Sequence, residues 1–445
     1  MTMIADATER VQEQRAWYWY DWANSAFVTT VGTVMFAPYL IEVAEQAAVD
    51  DRVSLLGIPV APGALPSVLI PIATVLSALL LPPLGAYVDR VANKKALLAT
   101  FAWVGAAFGS LLFFCKDDNW QIGAVAIVMA NLCLAASMVV NDSILPLIST
   151  EEERDAVSSR GWAWGYLGGA LLLVANLVLF LGHETFGMTE AMAVRVSMLS
   201  AALWWAAFTV IPFVRLRNHE PVHTVPATGN VVVQSFGQLF ATLRDMRRYP
   251  VTLTFLVAYL FFNDGIQTVI ASSSTYGSEQ LDLGQSVLIA TILVVQFVAY
   301  GGALAFGRAA GRYGAKRVIL VGIAIWMGVI IVALGLPRGQ ALPFVLMGVA
   351  FGIVLGGTQA LSRSYFSLLI PRGKEAEYFS FYHAMDRGTS WFGTLVFGLV
   401  YQFTGSYRPA ILALIVFFAV GGLLLARVDT ARGIREAGNQ VPAVV

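Results

Sequence analysis

The chain has 445 residues, of which 58% are apolar and only 13% are charged. Soluble domains carry about 25% charged residues, so most of this surface must face lipid rather than water. The formal net charge is zero, which leaves no overall field for binding nucleic acid. Cys115 and Cys133 lie in or beside apolar runs, and neither a disulfide framework, a metal site nor a cofactor is predicted.

Long apolar runs recur along the whole chain. About 20 helical residues cross a hydrocarbon core about 30 Å thick, and lipid accepts only backbones that satisfy their hydrogen bonds internally. The runs therefore predict an all-α membrane protein with twelve transmembrane helices. The predicted spans are residues 17–41, 65–87, 96–114, 121–141, 160–182, 192–214, 250–272, 283–306, 318–336, 342–362, 378–401 and 408–426.

Lys and Arg are distributed unevenly between the segments that connect these spans. Nearly all of them fall on the side of the N-terminus, Arg154, Arg160 and Arg363 among them, and few fall on the opposite side. The positive-inside rule then predicts that both termini are cytoplasmic. We therefore expect a multi-pass protein of the cell inner membrane. Residues 1–16 lack the pattern of a signal peptide, so the first span is expected to be the anchor.

The longest cytoplasmic segment predicts two separate bundles. Residues 215–249 are polar and contain Pro221, Pro226 and Gly229, as is usual for a linker. The predicted organisation is listed from the N-terminus: a cytoplasmic segment 1–16, a six-helix bundle 17–214, the linker 215–249, a second six-helix bundle 250–426 and a cytoplasmic tail 427–445.

A short motif occurs twice, about half the chain apart. The second span is followed by GAYVDRVANKK (residues 85–95), and the eighth by GRAAGRYGAKR (residues 307–317). Glycine, arginine and the closing basic pair recur at one spacing, which predicts two structurally related halves. Both copies resemble the signature loop of the major facilitator superfamily. This resemblance implies that the two six-helix bundles are pseudo-symmetric and enclose a central cavity.

The same loop implies a latch on the cytoplasmic side. Asp89 is expected to cap a neighbouring helix N-terminus or to pair with Arg90, and the glycines allow close approach of helices. The second copy has Gly311 where the acid would stand. The alternative is that the basic residues only set the topology. The predicted latch residues are Gly85, Asp89, Arg90, Lys94, Lys95, Gly307, Arg312, Lys316 and Arg317.

Three further motifs carry a narrower resemblance. They are YDWANSAF (residues 20–27), RGWAWGYLGG (160–169) and NDGIQT (263–268). Together they resemble the vacuole-effluxer-like branch of the superfamily, which is known for exporting amino acids from the fungal vacuole during autophagy. The resemblance implies a bacterial member of this branch, but it does not identify the solute.

Polar side chains recur within the first span. A charge inside a span is costly, so its presence is a functional hypothesis. Asp21, Asn24 and Ser25 fall on one face of the predicted helix. The alternative for Asp21 is a place at the membrane interface, within the aromatic belt formed by residues 17–22.

The seventh span is the repeat partner of the first in this superfamily. It pairs Asn263 with Gln267 and Asp264 with Thr268, each four residues apart. We expect both pairs to form inward-facing patches that meet the polar face of the first span across the cavity. Asp264 lies about a dozen residues into its span, which favours a place in the cavity wall.

The eleventh span carries a single polar stripe of His383, Asp386, Arg387 and Ser390. The functional interpretation is that Arg387 receives a substrate carboxylate while Asp386 or His383 exchanges a proton. The alternative is that Asp386 and Arg387 form a purely structural pair. The predicted substrate-binding residues are Asp21, Asn24, Ser25, Asn263, Asp264, Gln267, Thr268, Gln359 and Arg387. The predicted proton-coupling residues are Asp21, Asp264, His383 and Asp386.

These patterns favour a secondary active transporter that exports an amino acid or a similar zwitterion by proton-coupled alternating access. The alternatives are efflux of amphipathic compounds and a transport-inactive receptor or scaffold. An enzyme is not expected, because the spans contain no HExxH, GxSxG or paired metal-ligand motif. The expected partners are a small solute, protons and the lipid bilayer. Nucleic acid is not expected, and the protein is expected to be monomeric.

Overall fold

The structure, a computed structural model, describes residues 7–221, 244–388 and 390–445, apart from the side chains of residues 70 and 387–391. Within these ranges the chain is helical except for one two-stranded sheet. The helices are α1 (Ala7–Gln46), α2 (Pro62–Val88), α3 (Lys94–Phe114), α4 (Trp120–Ile148), α5 (Arg154–Leu181), α6 (Glu190–Arg215), α7 (Pro250–Gln280), α8 (Gln285–Tyr313), α9 (Ala315–Leu334), α10 (Ala341–Leu368), α11 (Glu375–Gly388), α12 (Ser390–Thr404), α13 (Tyr407–Arg427) and α14 (Thr430–Glu436). The strands are β1 (Val53–Leu55) and β2 (Ile58–Val60), which pair antiparallel.

Eleven of the described helices are long and apolar enough to cross a membrane. The predicted eleventh span corresponds to α11 and α12, which the structure describes on either side of residue 389. The predicted ends of the fourth and tenth spans are too early, because α4 continues to Ile148 and α10 to Leu368. Arg363 therefore lies within α10 and not in a connecting segment.

Two hydrophobic cores correspond to the two halves of the molecule. One core joins α1–α6 around the buried rings of Trp17, Trp120 and Trp205, and the other joins α7–α14 around Trp326 and Tyr259. Lipid supplies little hydrophobic driving force between helices, so small residues at the contacts decide how closely they pack.

Glycines spaced four residues apart make two of these contacts. Gly161, Gly165 and Gly169 place α5 against α1, and Gly352 and Gly356 place α10 against α8. Both helix pairs lie inside one half of the molecule. The α5 row also approaches the second half, because Gly161 lies near Arg363 and Gly169 near Gln296.

Both ends of the described chain lie on one side of the molecule. Arg10, near the start of α1, pairs with Glu153 just before α5 at 2.9 Å. Arg372, which follows α10, contacts both Glu151 and Asn439. We call this side the termini side and the opposite side the far side. The positive-inside rule predicts that the termini side is cytoplasmic.

The two halves meet on the termini side through both copies of the repeated motif. A Cβ at Gly85 would lie 2.9 Å from the Cα of Glu377, in the first turn of α11. A Cβ at Gly307 would lie 2.6 Å from the Cβ of Ser159, in the first turns of α5. Each copy thus packs against the start of a helix from the other half, and the termini side is closed.

The glycine contact between α8 and α10 yields a stability prediction. A methyl group at Gly356 would overlap the backbone carbonyl of Ala299, which cannot move aside as a side chain would. We expect Gly356→Ala to lower the free energy of unfolding by about 1–3 kcal/mol, as overpacking does in other close-packed cores. The measurement is the thermal unfolding midpoint in detergent.

The matched control for this prediction is Gly328→Ala in α9, where an added Cβ meets nothing within 4 Å. Alanine is the better helix former, so this variant should unfold at the wild-type temperature or slightly above it. Equal midpoints for the two variants would contradict the packing argument.

Candidate functional site

A cavity of about 480 Å³ lies between the two halves. It opens toward the far side, where its lining residues Val28 and Thr33 remain exposed. Its size is typical of sites for small molecules. Polar lining residues nearer the termini side are Asp21, Asn24, Ser25, Thr29, Gln267, Gln296, Gln359 and Asp386. Apolar lining residues nearer the far side include Ile270, Leu288, Ile292, Phe344, Met347, Phe351 and Leu355.

Arg363 lies beneath this cavity and is only 1% exposed. Its guanidinium donates to Asp21 Oδ2 at 3.0 Å and to Asp142 Oδ1 at 3.1 Å. Two further bonds of 3.0 Å reach the hydroxyl and the carbonyl oxygen of Ser158, and the ring of Trp17 lies 4.6 Å from the guanidinium carbon. Buried guanidinium groups are tolerated only when they are paired and fully hydrogen-bonded, as this one is.

His383 extends this group of charges. Its Nε2 atom lies 2.9 Å from Asp142 Oδ2. With a protonated imidazole, the charges of Asp21, Asp142, Arg363 and His383 balance, whereas a neutral imidazole leaves one net negative charge. The two aspartates belong to the first half, and Arg363 and His383 belong to the second. We call these four residues the inter-half network, which forms a polar seal below the cavity.

Asp386 is half-buried in the cavity wall and has a separate set of partners. Its Oδ1 atom accepts a 2.6 Å hydrogen bond from Asn263 and longer bonds of 3.4 Å from Gln267 and Tyr259. Gln359 donates to the amide oxygen of Asn263 at 2.9 Å, which fixes the orientation of that amide. Among the side chains that the structure describes, the hydrogen-bond partners of Asp386 are neutral donors.

Asp264 and Thr268 face α12 and do not line the cavity. Asp264 Oδ2 accepts the backbone N–H of Gly393 at 2.8 Å, near the start of α12. Among the described residues, Asp264 Oδ1 and Thr268 Oγ1 are buried and have no hydrogen-bond partner. The sequence led us to expect Asp264 in the cavity wall, whereas its side chain faces α12. The reason is that positions 263 and 264 point in directions about 100° apart on a helix, so only one of the two pairs faces the cavity.

The remaining sequence-predicted residues fall into three groups. Asn24 and Ser25 line the cavity, as do Gln267 and Gln359. Asp21 is 4% exposed and bound to Arg363, so a place in an interfacial aromatic belt is excluded. The side chain of Arg387 lies outside the described residues.

The sequence analysis did not predict two members of the inter-half network as site residues. Asp142 and Arg363 each follow directly after the predicted end of an apolar run, where a charge normally marks the membrane surface. A signal was nevertheless present, because Arg363 lies one helical turn after Gln359 and therefore on the same face of α10.

The first copy of the repeated motif contacts α11 through Asp89. The two carboxylate oxygens accept the backbone N–H groups of Ala376 at 2.9 Å and Glu377 at 2.8 Å, and Lys94 lies 3.2 Å away. Asp89 thus caps the N-terminus of α11 from the other half of the molecule. Lys95 instead donates to the carbonyl of Leu216 within its own half.

The second copy makes no equivalent polar contact. Lys316 donates to the carbonyl oxygens of Ala426 and Val428, which belong to the same half. In the described part of the chain, no hydrogen bond from Arg312, Lys316 or Arg317 reaches the first half. Gly307 of this copy contacts the first half through Ser159.

Comparison with known proteins identifies the family. The model of the vacuole effluxer Atg22-like family matches residues 9–438. The chain belongs to this family. The uncharacterized MFS-type transporter YxiO of Bacillus subtilis (strain 168) is 29% identical over 437 residues, which cover 97% of this chain and 98% of YxiO. Autophagy-related protein 22 of Kluyveromyces lactis is 25% identical over 378 residues, which cover 78% of this chain and 75% of that protein.

Solved structures agree on the fold. The proton:xylose symporter XylE superposes with a TM-score of 0.70 at 10% identity, covering 97% of this chain and 99% of XylE. The human organic anion transporter MFSD10 gives a TM-score of 0.69 at 14% identity, covering 94% and 99%. The Atg22-like chain therefore has the major facilitator fold. It is a multi-pass membrane transporter and not an enzyme.

The inter-half network predicts a conformational effect of Arg363→Met. This change leaves Asp21 and Asp142 buried without their guanidinium, and breaking a buried ion pair costs about 3–5 kcal/mol. We expect the termini side to open so that water reaches both carboxylates. The measurement is the rate at which a water-soluble maleimide labels Ser159→Cys, in a protein without Cys115 and Cys133.

The control combines Arg363→Met with Asp21→Asn and Asp142→Asn. Without unpaired charges, this variant should label nearly as slowly as the protein with the intact network. Fast labelling of both variants would show that shape and not charge pairing keeps this side closed.

The cap on α11 predicts a dependence on pH. Burial raises the pKa of Asp89 from 3.8 to about 6, against the opposing effect of Lys94 and with a contribution from Glu375. In the open state the carboxyl group is in water and keeps its ordinary pKa. The proton thus binds Asp89 more tightly in the closed state, and protonation of Asp89 stabilises that state. This stabilisation is complete below pH 3.8 and is lost as the pH rises through about 6.

We expect labelling of Ser159→Cys to accelerate as the pH is raised from about 4 to 7, once corrected for the reactivity of the thiol. Asp89→Asn cannot titrate, so it should flatten this part of the profile. An unchanged pH profile in Asp89→Asn would assign the effect to another group.

Proposed function

We propose that this transporter exports a small zwitterion, an amino acid with an apolar side chain, across the inner membrane in exchange for protons. The observation that supports this most strongly is Asp386, a cavity-facing carboxylate with neutral hydrogen-bond donors, which lies one helical turn from the inter-half network. Export is further supported by the description of the family as vacuole effluxers.

The polar end of the cavity would bind the charged groups of such a solute, and the far-side end would bind its apolar side chain. A substrate ammonium group would bind Asp386, and its carboxylate is predicted to bind Arg387 or the amide of Gln267. The far-side part of the wall contains large apolar side chains, Phe344 and Phe351 among them, beside a few hydroxyl groups. An apolar side chain of the substrate would therefore be removed from water there, which favours binding.

Competition at Asp386 would account for exchange. A bare carboxylate in a closed, dry site is costly, so both loaded forms of the carrier need Asp386 to be neutralised. A substrate ammonium or a proton can do this, but not both together. Release of the solute on the far side would let a proton bind the carboxyl oxygen. Loss of that proton on the termini side would free the carboxylate for the next solute.

His383 would adjust the strength of closure. A proton on its imidazole balances the inter-half network, and loss of that proton leaves an excess negative charge beside Asp142. Asp21 and Asp264 stay predicted proton-coupling residues. Their positions differ from that of Asp386, because Asp21 is bound to Arg363 and Asp264 accepts the backbone N–H of Gly393.

Efflux of larger amphipathic compounds is the second candidate, and the apolar part of the cavity wall favours it. In the fifth span, Trp162 and Tyr166 line the cavity, but other aromatic side chains of the first, fifth and sixth spans do not. Trp19, Trp22, Trp164 and Phe208 pack on one another and do not line the cavity.

A thermal-shift screen over amino acids, dipeptides and dyes separates these functions. We expect apolar amino acids to stabilise the wild type and Asp386→Asn to lose this response, because the amide cannot balance an ammonium charge. Arg387→Ala should weaken it as well. Asp264→Asn is the control, since Asp264 lies outside the cavity, and it should keep the response. Stabilisation by dyes alone would favour amphipathic efflux.

Counterflow in proteoliposomes tests transport itself. With L-leucine on both sides, we expect radiolabelled leucine to exchange, and an opposing pH gradient should drive its net movement in the wild type. Asp386→Asn should abolish both. Leucine binding without counterflow would identify a transport-inactive receptor instead.

A further inference from the structure

The two copies of the repeated motif differ at the position that makes the polar latch. Asp89 lies four residues after Gly85, and Gly311 lies four residues after Gly307. Gly85 packs on the start of α11 and Gly307 on the start of α5, so Asp89 and Gly311 occupy equivalent places. An added Cβ at Gly311 meets nothing within 4 Å. The second copy therefore leaves open space where the first has a capping carboxylate.

The segment that follows α14, residues 437–445, lies beside this open space. Residues 442–445 and Gly311 line one cavity of about 180 Å³, together with Glu151, Glu152 and Asp155 from the first half. Gly314, in the same motif copy, has a φ of +86°. A Cβ at this position would lie 2.5 Å from the backbone carbonyl carbon of Val445. The segment thus packs directly on the second motif copy, at the seam between the halves.

Asn439 anchors this segment. Its side chain is buried, and its amide nitrogen donates to the carbonyl oxygens of Leu368 and Ile370 at 2.9 Å each. These bonds satisfy backbone acceptors at the C-terminal end of α10, which have no partners inside the helix. The amide oxygen accepts a bond from Arg372 Nε at 3.2 Å.

Arg372 carries the connection to the first half. While its Nε atom is bound to Asn439, its Nη2 atom donates to Glu151 Oε1 at 3.2 Å. The arginine side chain is 58% exposed, and an exposed ion pair by itself contributes little. The ion pair between Arg372 and Glu151 stabilises the contact more when the arginine is held in one geometry. The hydrogen bond to Asn439 holds it there.

We propose that residues 437–445, anchored by Asn439, form a second latch that holds the termini side closed in place of the acid missing at Gly311. Asn439 is a positioning residue, because it acts through Arg372 on Glu151. The latch is independent of which solute is carried. The latch proposal can therefore be tested independently of the proposed function.

The test uses two single-cysteine reporters in a protein without Cys115 and Cys133. Ser159→Cys reports opening of the termini side, since Ser159 is buried at the seam, and Thr33→Cys reports opening of the far side. Ending the chain after Glu436 should raise the labelling rate of Ser159→Cys about fivefold or more, as is usual for coupled conformational equilibria. Labelling of Thr33→Cys should fall at the same time.

Point variants separate the latch from general loss of structure. Asn439→Ala and Arg372→Gln should each reproduce part of the effect of truncation. Gln440→Ala is the matched control, because Gln440 is exposed, and it should label like the parent protein. In the truncated protein, Gly311→Asn should restore slow labelling of Ser159→Cys, since asparagine is a good helix cap and adds no charge near Glu151.

Three outcomes would overturn the proposal. They are unchanged labelling of Ser159→Cys after truncation, faster labelling of both reporters, and equal effects of Asn439→Ala and Gln440→Ala. If Gly311→Asn does not slow the labelling of the truncated protein, the two latches are not equivalent.

Discussion

A guanidinium group held between two carboxylates below the cavity is the interaction on which this structure depends. Arg363 comes from the second half of the molecule, whereas Asp21 and Asp142 come from the first. None of the three charges is stable alone in a dry membrane interior, but together they are paired and hydrogen-bonded. The halves can therefore separate at this level only if water enters from the termini side. The proposed alternating access would have to meet this condition.

Two helices connect this seal to the cavity. α10 carries Gln359 and Arg363 one turn apart, and α11 carries His383 and Asp386 at a similar spacing. On α10, Arg363 belongs to the inter-half network, while Gln359 binds Asn263, a partner of Asp386. On α11, His383 belongs to the network, and the other residue is Asp386 itself. A change at the cavity-facing carboxylate of Asp386 thus acts on the same two helices that hold the seal, without a longer path through the protein.

Much of the fold was accessible from the sequence. Apolar length predicts the spans because each helix must satisfy its own backbone in lipid, and the repeated motif predicts two related halves. Helix ends were less accessible, because a charge normally marks the membrane surface. Arg363 breaks that expectation only because Asp21 and Asp142 reach it from the other half. Helical spacing grouped Asn263 with Gln267 correctly, but it could not tell which of two adjacent faces points at the cavity.

The sequence by itself determined the membrane class, the order of the helices, the repeat and the residue types available for binding a zwitterion. Those features follow from local composition and spacing. Only the tertiary structure decided that Arg363 seals the cavity, that Asp264 supports α12 and that residues 437–445 lie against Gly314. Each of these depends on side chains that are far apart in the chain, and their electrostatic balance exists only once the two halves have come together.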